Sequence, residues 1–193
     1  MTREVPILPI NLELLISIET TEHQWRLPDR ITEQVARELT EVYPLYKTAI
    51  QPVTVQEIED ALAVLALHYL GGERTLDDFN RLIDDFIVPL SGVCLQALQV
   101  GVQNWRENNT RWPTIPELRN LVDARQEYLV RTFLRLQFLH HCLINYAGEV
   151  PRVTDADGNG TPVDSIDIAI ILEGKDRLKN RRVEWPVIEG AFH

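Results

Sequence analysis

The chain has 193 residues, 45% hydrophobic and 25% charged, with a formal net charge of −10. That length and apolar share suit one domain with a sizeable core, or a domain with an appendage. The negative balance works against non-specific attraction to nucleic acid or anionic lipid, and no run of about 18 apolar residues marks a membrane span.

Residues 1–27 lack helical periodicity. Ile7, Leu8, Ile10, Leu12, Leu14, Leu15, Ile16 and Ile18 form a β-tolerant stretch, expected to be an extended arm that packs on the chain or docks on another subunit. Pro9, Asn11 and Glu13 interrupt that stretch and no small-residue cleavage site follows, so a secretory signal is not expected and the cytoplasm is the expected compartment.

A first helix is expected from Pro28-Asp29, with Asp29 as N-cap and Ile31, Val35, Leu39 and Val42 as its buried stripe. Tyr43-Pro44 is its expected end, because a residue before proline is pushed out of the helical region. Thr54 and Glu57 make a capping box for a second helix. Ile58, Leu62, Leu65 and Tyr69 face inward there, and Ala61, Val64 and Leu67 broaden the stripe enough to suggest a central position. Gly71-Gly72 stops it.

Thr75 opens a third helix with Asp77 and Asp78 in its first turn and Phe79, Leu82, Ile83, Phe86 and Ile87 inward; Pro89 closes it. Ser91 is the expected cap of a fourth, carrying Val93, Leu95, Leu98, Val102 and Trp105 and ending at Asn108-Asn109. A second capping box, Thr114 and Glu117 with Pro116 in the first turn, starts a helix expected to run to Tyr146. Leu118, Val122, Leu129, Leu136, Leu139, Leu143 and Tyr146 follow a near-heptad spacing that Arg125 and Thr132 interrupt. Such a seam packs on the other helices or pairs two copies. A loop over 148–162, a short helix over Asp164 to Leu178 and an extended tail complete the chain. The expected fold is all-α, a bundle of five to six helices over 28–147 with an N-terminal arm over 1–27 and a short C-terminal appendage over 148–193.

The chemistry-bearing residues are sparse. Asp77-Asp78 and Asp84-Asp85 are adjacent pairs that diverge by about 100° on a helix, as solvated faces do. His140-His141 lack the three- or four-residue spacing of a helical metal site, and His68 sits in an apolar helix as a core or boundary residue. Cys94 and Cys142 are expected to be reduced and buried, without zinc spacing. There is no Gly-x-Ser-x-Gly elbow and no phosphate-binding glycine loop, so an enzyme is not expected.

Asp155-Ala-Asp157-Gly158-Asn159-Gly160 matches the start of a calcium loop, with oxygen ligands at the first, third and fifth positions. The twelfth position is Ile166, not an acid; one inserted residue makes Asp167 the closing ligand. Calcium through Asp155, Asp157, Asn159 and Asp167 stands beside a plain Asx turn, and no other cofactor is expected. With its exiting helix the run resembles a dockerin-type calcium module, of which only one loop is present. Lys175, Arg177, Lys179, Arg181 and Arg182, followed by Trp185, form a basic cluster that either faces solvent or contacts nucleic acid.

Residues 43–125 carry a wider resemblance. Ala63-Val-Leu-Ala-Leu-His-Tyr69, the acidic third helix, Leu95-Gln-Ala-Leu-Gln99 and Trp105 followed by Arg111-Trp-Pro-Thr-Ile-Pro-Glu-Leu-Arg119 resemble small helical proteins of bacteriophage and prophage replication regions, including helicase-loader-like accessory proteins. The resemblance implies a partner protein in a replication complex; without an ATP-binding loop it does not imply an ATPase. The expected contact surface is the turn from Trp105 to Arg119, with Trp105, Arg111, Trp112, Glu117 and Arg119 as its residues. A particle-assembly subunit using the arm, the tail or the long helix for self-association is the alternative, and a single-loop calcium module a further one.

Overall fold

The computed structural model describes residues 3–17, 24–69, 76–175 and 177–186. Helices take up most of them: α1 (Ile10–Ser17), α2 (Glu33–Ala49), α3 (Val55–Tyr69), α4 (Leu76–Leu90), α5 (Leu95–Asn108), α6 (Ile115–Asn145) and α7 (Ser165–Leu172). Strands β1 (Arg152–Thr154), β2 (Arg177–Leu178) and β3 (Arg181–Glu184) make an antiparallel sheet in the order β1-β3-β2. The chain forms two compact units, Met1–Pro6 with Tyr46–Val130 and Ile7–Leu45 with Arg131–His193. This division differs from the expected arm, bundle and appendage, because α2 and α6 each contribute to both units.

Several elements depart from expectation for identifiable reasons. Ile10–Ser17 is helical rather than extended. Its first-turn donors find a distant acceptor: the Glu38 carboxylate accepts from the Leu12 N–H at 3.1 Å and from Asn11 Nδ2 at 2.8 Å. α2 begins after Thr32, whose carbonyl accepts from the Ala36 N–H at 2.9 Å, rather than at Asp29. It then continues through Pro44, because Tyr46 and Ala49 extend the buried stripe of Val35, Leu39 and Val42 beyond the proline. Packing of the last five residues, Leu45 to Ala49, overrides the missing N–H.

α5 is capped at Cys94, not Ser91. The Ser91 hydroxyl donates to the Val88 carbonyl at 3.0 Å, and the Cys94 N–H donates to Gln126 Oε1 at 2.9 Å. Gly71, Gly72 and Thr75 lie outside the described residues. The small sheet was not expected; its strands are too short to show an alternating pattern.

Within the first unit, α3 and α5 run parallel. At their starts the Val53 N–H donates to the Val93 carbonyl at 2.8 Å, and at their ends the Tyr69 hydroxyl donates to the Asn109 carbonyl at 2.9 Å. Thr54 and Glu57 form the expected capping contacts at 2.7–3.2 Å. Arg3 pairs with Glu57 at 2.8 Å and donates to the Pro52 carbonyl at 2.9 Å. Contrary to a central placement, α3 leaves Val64 47% and Leu67 73% exposed, and His68 is exposed as well.

In the second unit Trp25 is fully buried. Its indole N–H donates to the Leu15 carbonyl at 3.0 Å, its ring meets Phe138 edge-on at 5.8 Å, and the Arg135 guanidinium lies 5.7 Å from the ring centroid. Arg135 also donates to the Ile16 carbonyl at 2.6 Å. One aromatic thus ties α1 to α6, two elements more than a hundred residues apart in sequence.

The α6 stripe is buried within the chain: Leu118, Val122 and Leu129 in the first unit, Thr132, Leu136 and Leu139 in the second. Leu143 and Tyr146 at its carboxyl end are only half-buried. On the facing side, Gly101 of α5 permits a close approach: a Cβ there would lie 2.6 Å from Val122 Cγ2 and 3.2 Å from the Val122 nitrogen. Gly101→Ala should therefore lose about 1–3 kcal/mol of stability, outweighing a helix-propensity gain of about 1 kcal/mol. Gly92→Ala, where an added Cβ meets nothing within 4 Å, serves as the control in urea unfolding. An unchanged midpoint for Gly101→Ala would contradict the close contact.

Candidate functional site

The structure brings the residues of the expected contact turn together and turns them on one another. Trp105 is buried and its indole N–H donates to the Arg111 carbonyl at 2.8 Å. The Arg111 guanidinium lies 5.4 Å from the Trp105 ring centroid and pairs with Glu117 through both nitrogens. Glu117 also accepts from the Thr114 N–H and hydroxyl at 2.8 Å, closing the α6 capping box. Arg119 donates to the Pro89 carbonyl and pairs with Asp123 at 2.7 Å. Trp112 is half-buried, edge-on to Phe86 at 5.9 Å. The turn is a lock between α4, α5 and α6, and its Arg111 and Glu117 side chains pair with each other at the surface, Arg111 being 59% exposed.

Hydrogen bonds from Arg111 and then Thr114 lower the Glu117 pKa from 4.5 to about 2. A lowered folded-state value means the contribution is complete above the unfolded pKa and disappears as pH falls through the folded one. Thermal melts of wild type should lose this contribution between pH 4.5 and about 2, whereas Glu117→Gln should melt lower at neutral pH and depend less on acid over that window. Parallel acid profiles for the two proteins would contradict the assignment.

The face that remains open lies between α3 and α5. A groove of about 510 Å³ has Ala61, Val64, Leu95 and Val102 as its apolar floor. Because the helices are parallel, Glu57 and Asp60 stand toward their amino ends and Arg106 toward their carboxyl ends. Glu57 is held by Arg3 and Thr54, and the Thr54 backbone N–H is the main cause lowering its pKa. Asp60 accepts only from Gln56, and Arg106 has no ion-pair partner among the described residues. Leu67 extends the apolar strip by one turn. Sequence reasoning missed this groove, although its signal was present: the apolar stripe of α3 is too wide for one buried face.

Several of the other candidate residues have partners within the chain. Asp155 Oδ1 accepts from the N–H groups of Asp157 and Asn159 at 3.0 and 2.9 Å, an Asx turn that closes the loop on itself. Asp167 sits on α7, where it completes a capping box with Asp164 and pairs with Arg181 at 2.5 Å. No group of three or more His, Cys, Asp or Glu side chains among the described residues is arranged to hold a metal. Arg181 is thereby engaged, Lys175 pairs with Glu173, and Trp185 stacks on Tyr146 with centroids 4.5 Å apart; the Arg177 side chain lies outside the described residues.

His140 stacks on Tyr43 at 4.2 Å while His141 contacts Asn145, Tyr146 and Trp185, so the adjacent histidines serve different neighbours. Burial pushes the Cys94 thiol up and the Cys142 thiol to about 12, leaving both protonated at neutral pH. The acidic pairs of α4 are exposed, and no described helix is long and apolar enough to cross a membrane.

Asp167→Ala should cost about 1–3 kcal/mol, the loss of a cap and a mostly buried charge partner. Asp157→Ala should change stability little, and calcium titrated calorimetrically into wild type should release no saturable heat. Saturable heat abolished by Asp157→Ala would overturn the Asx-turn assignment. No protein-family model, curated protein or solved structure matches the chain.

Proposed function

We propose that this chain is a non-enzymatic accessory protein that binds a partner protein by taking an amphipathic helix into the α3–α5 groove. The observation that carries the reading is the apolar floor between Asp60 at one end and, at the other, Arg106, which has no ion-pair partner among the described residues. Helix-in-groove recognition uses apolar anchors at i, i+3, i+4 and i+7 along such a floor. The uncompensated charges specify the occupant further: a basic residue for Asp60 and, farther along, an acidic residue for Arg106. The resemblance of residues 43–125 to phage and prophage replication-region proteins supports a replication complex as the setting.

A second reading, a self-assembling particle subunit, is favoured by Ile7, 94% exposed, and by the outer face of α1, where Ile10 and Leu14 are 70% and 62% exposed. Light scattering separates the two, since a ring or filament would favour assembly. Capture from the cell that makes the protein, with wild type and Val64→Asp side by side, should recover one partner with wild type only. A synthetic helix from that partner should then bind wild type, and Arg106→Glu should weaken it at least tenfold, the loss of one favourable charge contact replaced by a repulsive one. Equal capture by both proteins, or equal affinity for both, would reject the groove.

A further inference from the structure

The α3–α5 groove makes no use of the basic run near the carboxyl end. From Lys175 to Arg182 five basic residues stand with a single acid, Asp176, on a chain whose net charge is −10. β2 turns back into β3 through Lys179 and Asn180, and Asn180 takes the left-handed backbone (φ 60°) that asparagine adopts more readily than most residues. Leu178 and Arg181 are the closing pair of this hairpin, and Arg177 and Arg182 are the next.

Alternation along the strands sorts the run into two faces. Leu178, Arg181, Val183 and Val153 share the inner face, where the three apolar residues are buried and Arg181 pairs with Asp167 of α7 at 2.5 Å. Arg182 and Glu184 of β3 and Arg152 of β1 belong to the outer face and are exposed. Arg152 stands opposite Glu184 in the register, so that row is balanced. Arg182 stands between Arg177 and Thr154, a row across all three strands without a carboxylate. Neither Arg182 nor Lys179 has an ion-pair partner among the described residues, to which Asp176 does not belong.

Like charges at directly opposite positions of an antiparallel pair cost stability. An anion shared by both positions relieves that cost, and phosphate matches the guanidinium fork best. The row is about 10 Å wide, because neighbouring strands stand about 4.8 Å apart, and the exposed Lys179 lies at the hairpin tip beyond it. A rigid duplex or a membrane surface is broader than the row and would be pressed against the exposed Glu184 and Glu173. A flexible single strand follows the row and leaves those carboxylates in water. Trp185 is already stacked on Tyr146, so the row offers charge without an aromatic platform and no base preference follows. We infer that the outer face of the sheet binds the phosphate backbone of single-stranded nucleic acid, centred on Arg182 with Arg177 and Lys179 beside it. The site belongs to the second unit and does not depend on the α3–α5 groove.

The probe is a labelled oligothymidylate of about 20 nucleotides, titrated with the full chain by fluorescence anisotropy at about 20 mM salt. Saturable binding is expected, with log affinity falling against log salt at a slope of about −1.4 to −2, two or three phosphates at about 0.7 each. Arg182→Glu should bind about threefold to tenfold more weakly with a shallower slope. It should melt no lower than wild type, because an opposite pair replaces a like pair across the strands. Lys179→Glu, at the exposed tip, should also weaken binding and keeps the test decisive should Arg182→Glu disturb the hairpin. Arg37→Glu, the same change of net charge at an exposed position of α2, should bind like wild type. Absence of binding at low salt, wild-type affinity in both hairpin variants, equal losses in all three variants, or tighter binding to a duplex or to anionic vesicles than to the single strand would overturn the inference.

Discussion

The parallel pairing of α3 and α5 is the constraint on which the functional account depends. It is pinned by a main-chain bond between Val53 and Val93 at one end and by the Tyr69 hydroxyl on the Asn109 carbonyl at the other. Between those pins the groove has exposed Val64 and half-buried Ala61 and Leu95 along its walls and buried Val102 at its base. Gly101 adds the third support by letting α5 approach Val122 of α6 more closely than any side chain would permit. The groove is thus a product of these three supports rather than of its own lining, and its shape should tolerate changes to the lining better than changes to the supports.

The local signals in the sequence translated well where their chemistry is local. Thr54 with Glu57 and Thr114 with Glu117 start helices as expected, and α6 follows its near-heptad stripe for 31 residues. Pro44 and Ser91 were misleading because their local preferences compete with packing and with a distant acceptor: Tyr46 and Ala49 carry α2 past the proline, and Gln126 supplies the cap that Ser91 does not. α1 was illegible for the same reason, since its amino end is held by Glu38 of another helix. The small sheet consists of strands of two to four residues, too short for any periodicity.

The turn from Trp105 to Arg119 separates recognising a constellation from knowing its direction. Its residues do converge, yet Arg111 and Glu117 satisfy each other and Trp105 is buried beneath them. Spacing can show that charges and aromatics share a neighbourhood; only the structure shows which partner each one takes. The same distinction applies at Asp167, where a carboxylate in reach of a calcium-loop register is claimed instead by Arg181 and the α7 cap. Conversely, Val64 and Leu67 read as core and proved exposed, and Arg106 drew no notice because nothing in its own helix pairs with it.

The most direct measurement is photo-crosslinking in the cell that makes this protein, with a photoreactive side chain placed in turn at Val64 and at Val88. Both are exposed apolar positions of the first unit, but only Val64 belongs to the groove. The account predicts a single dominant partner crosslinked from Val64 and none from Val88. The same products from both positions, or products from Val88 alone, would contradict the groove as the partner-binding face.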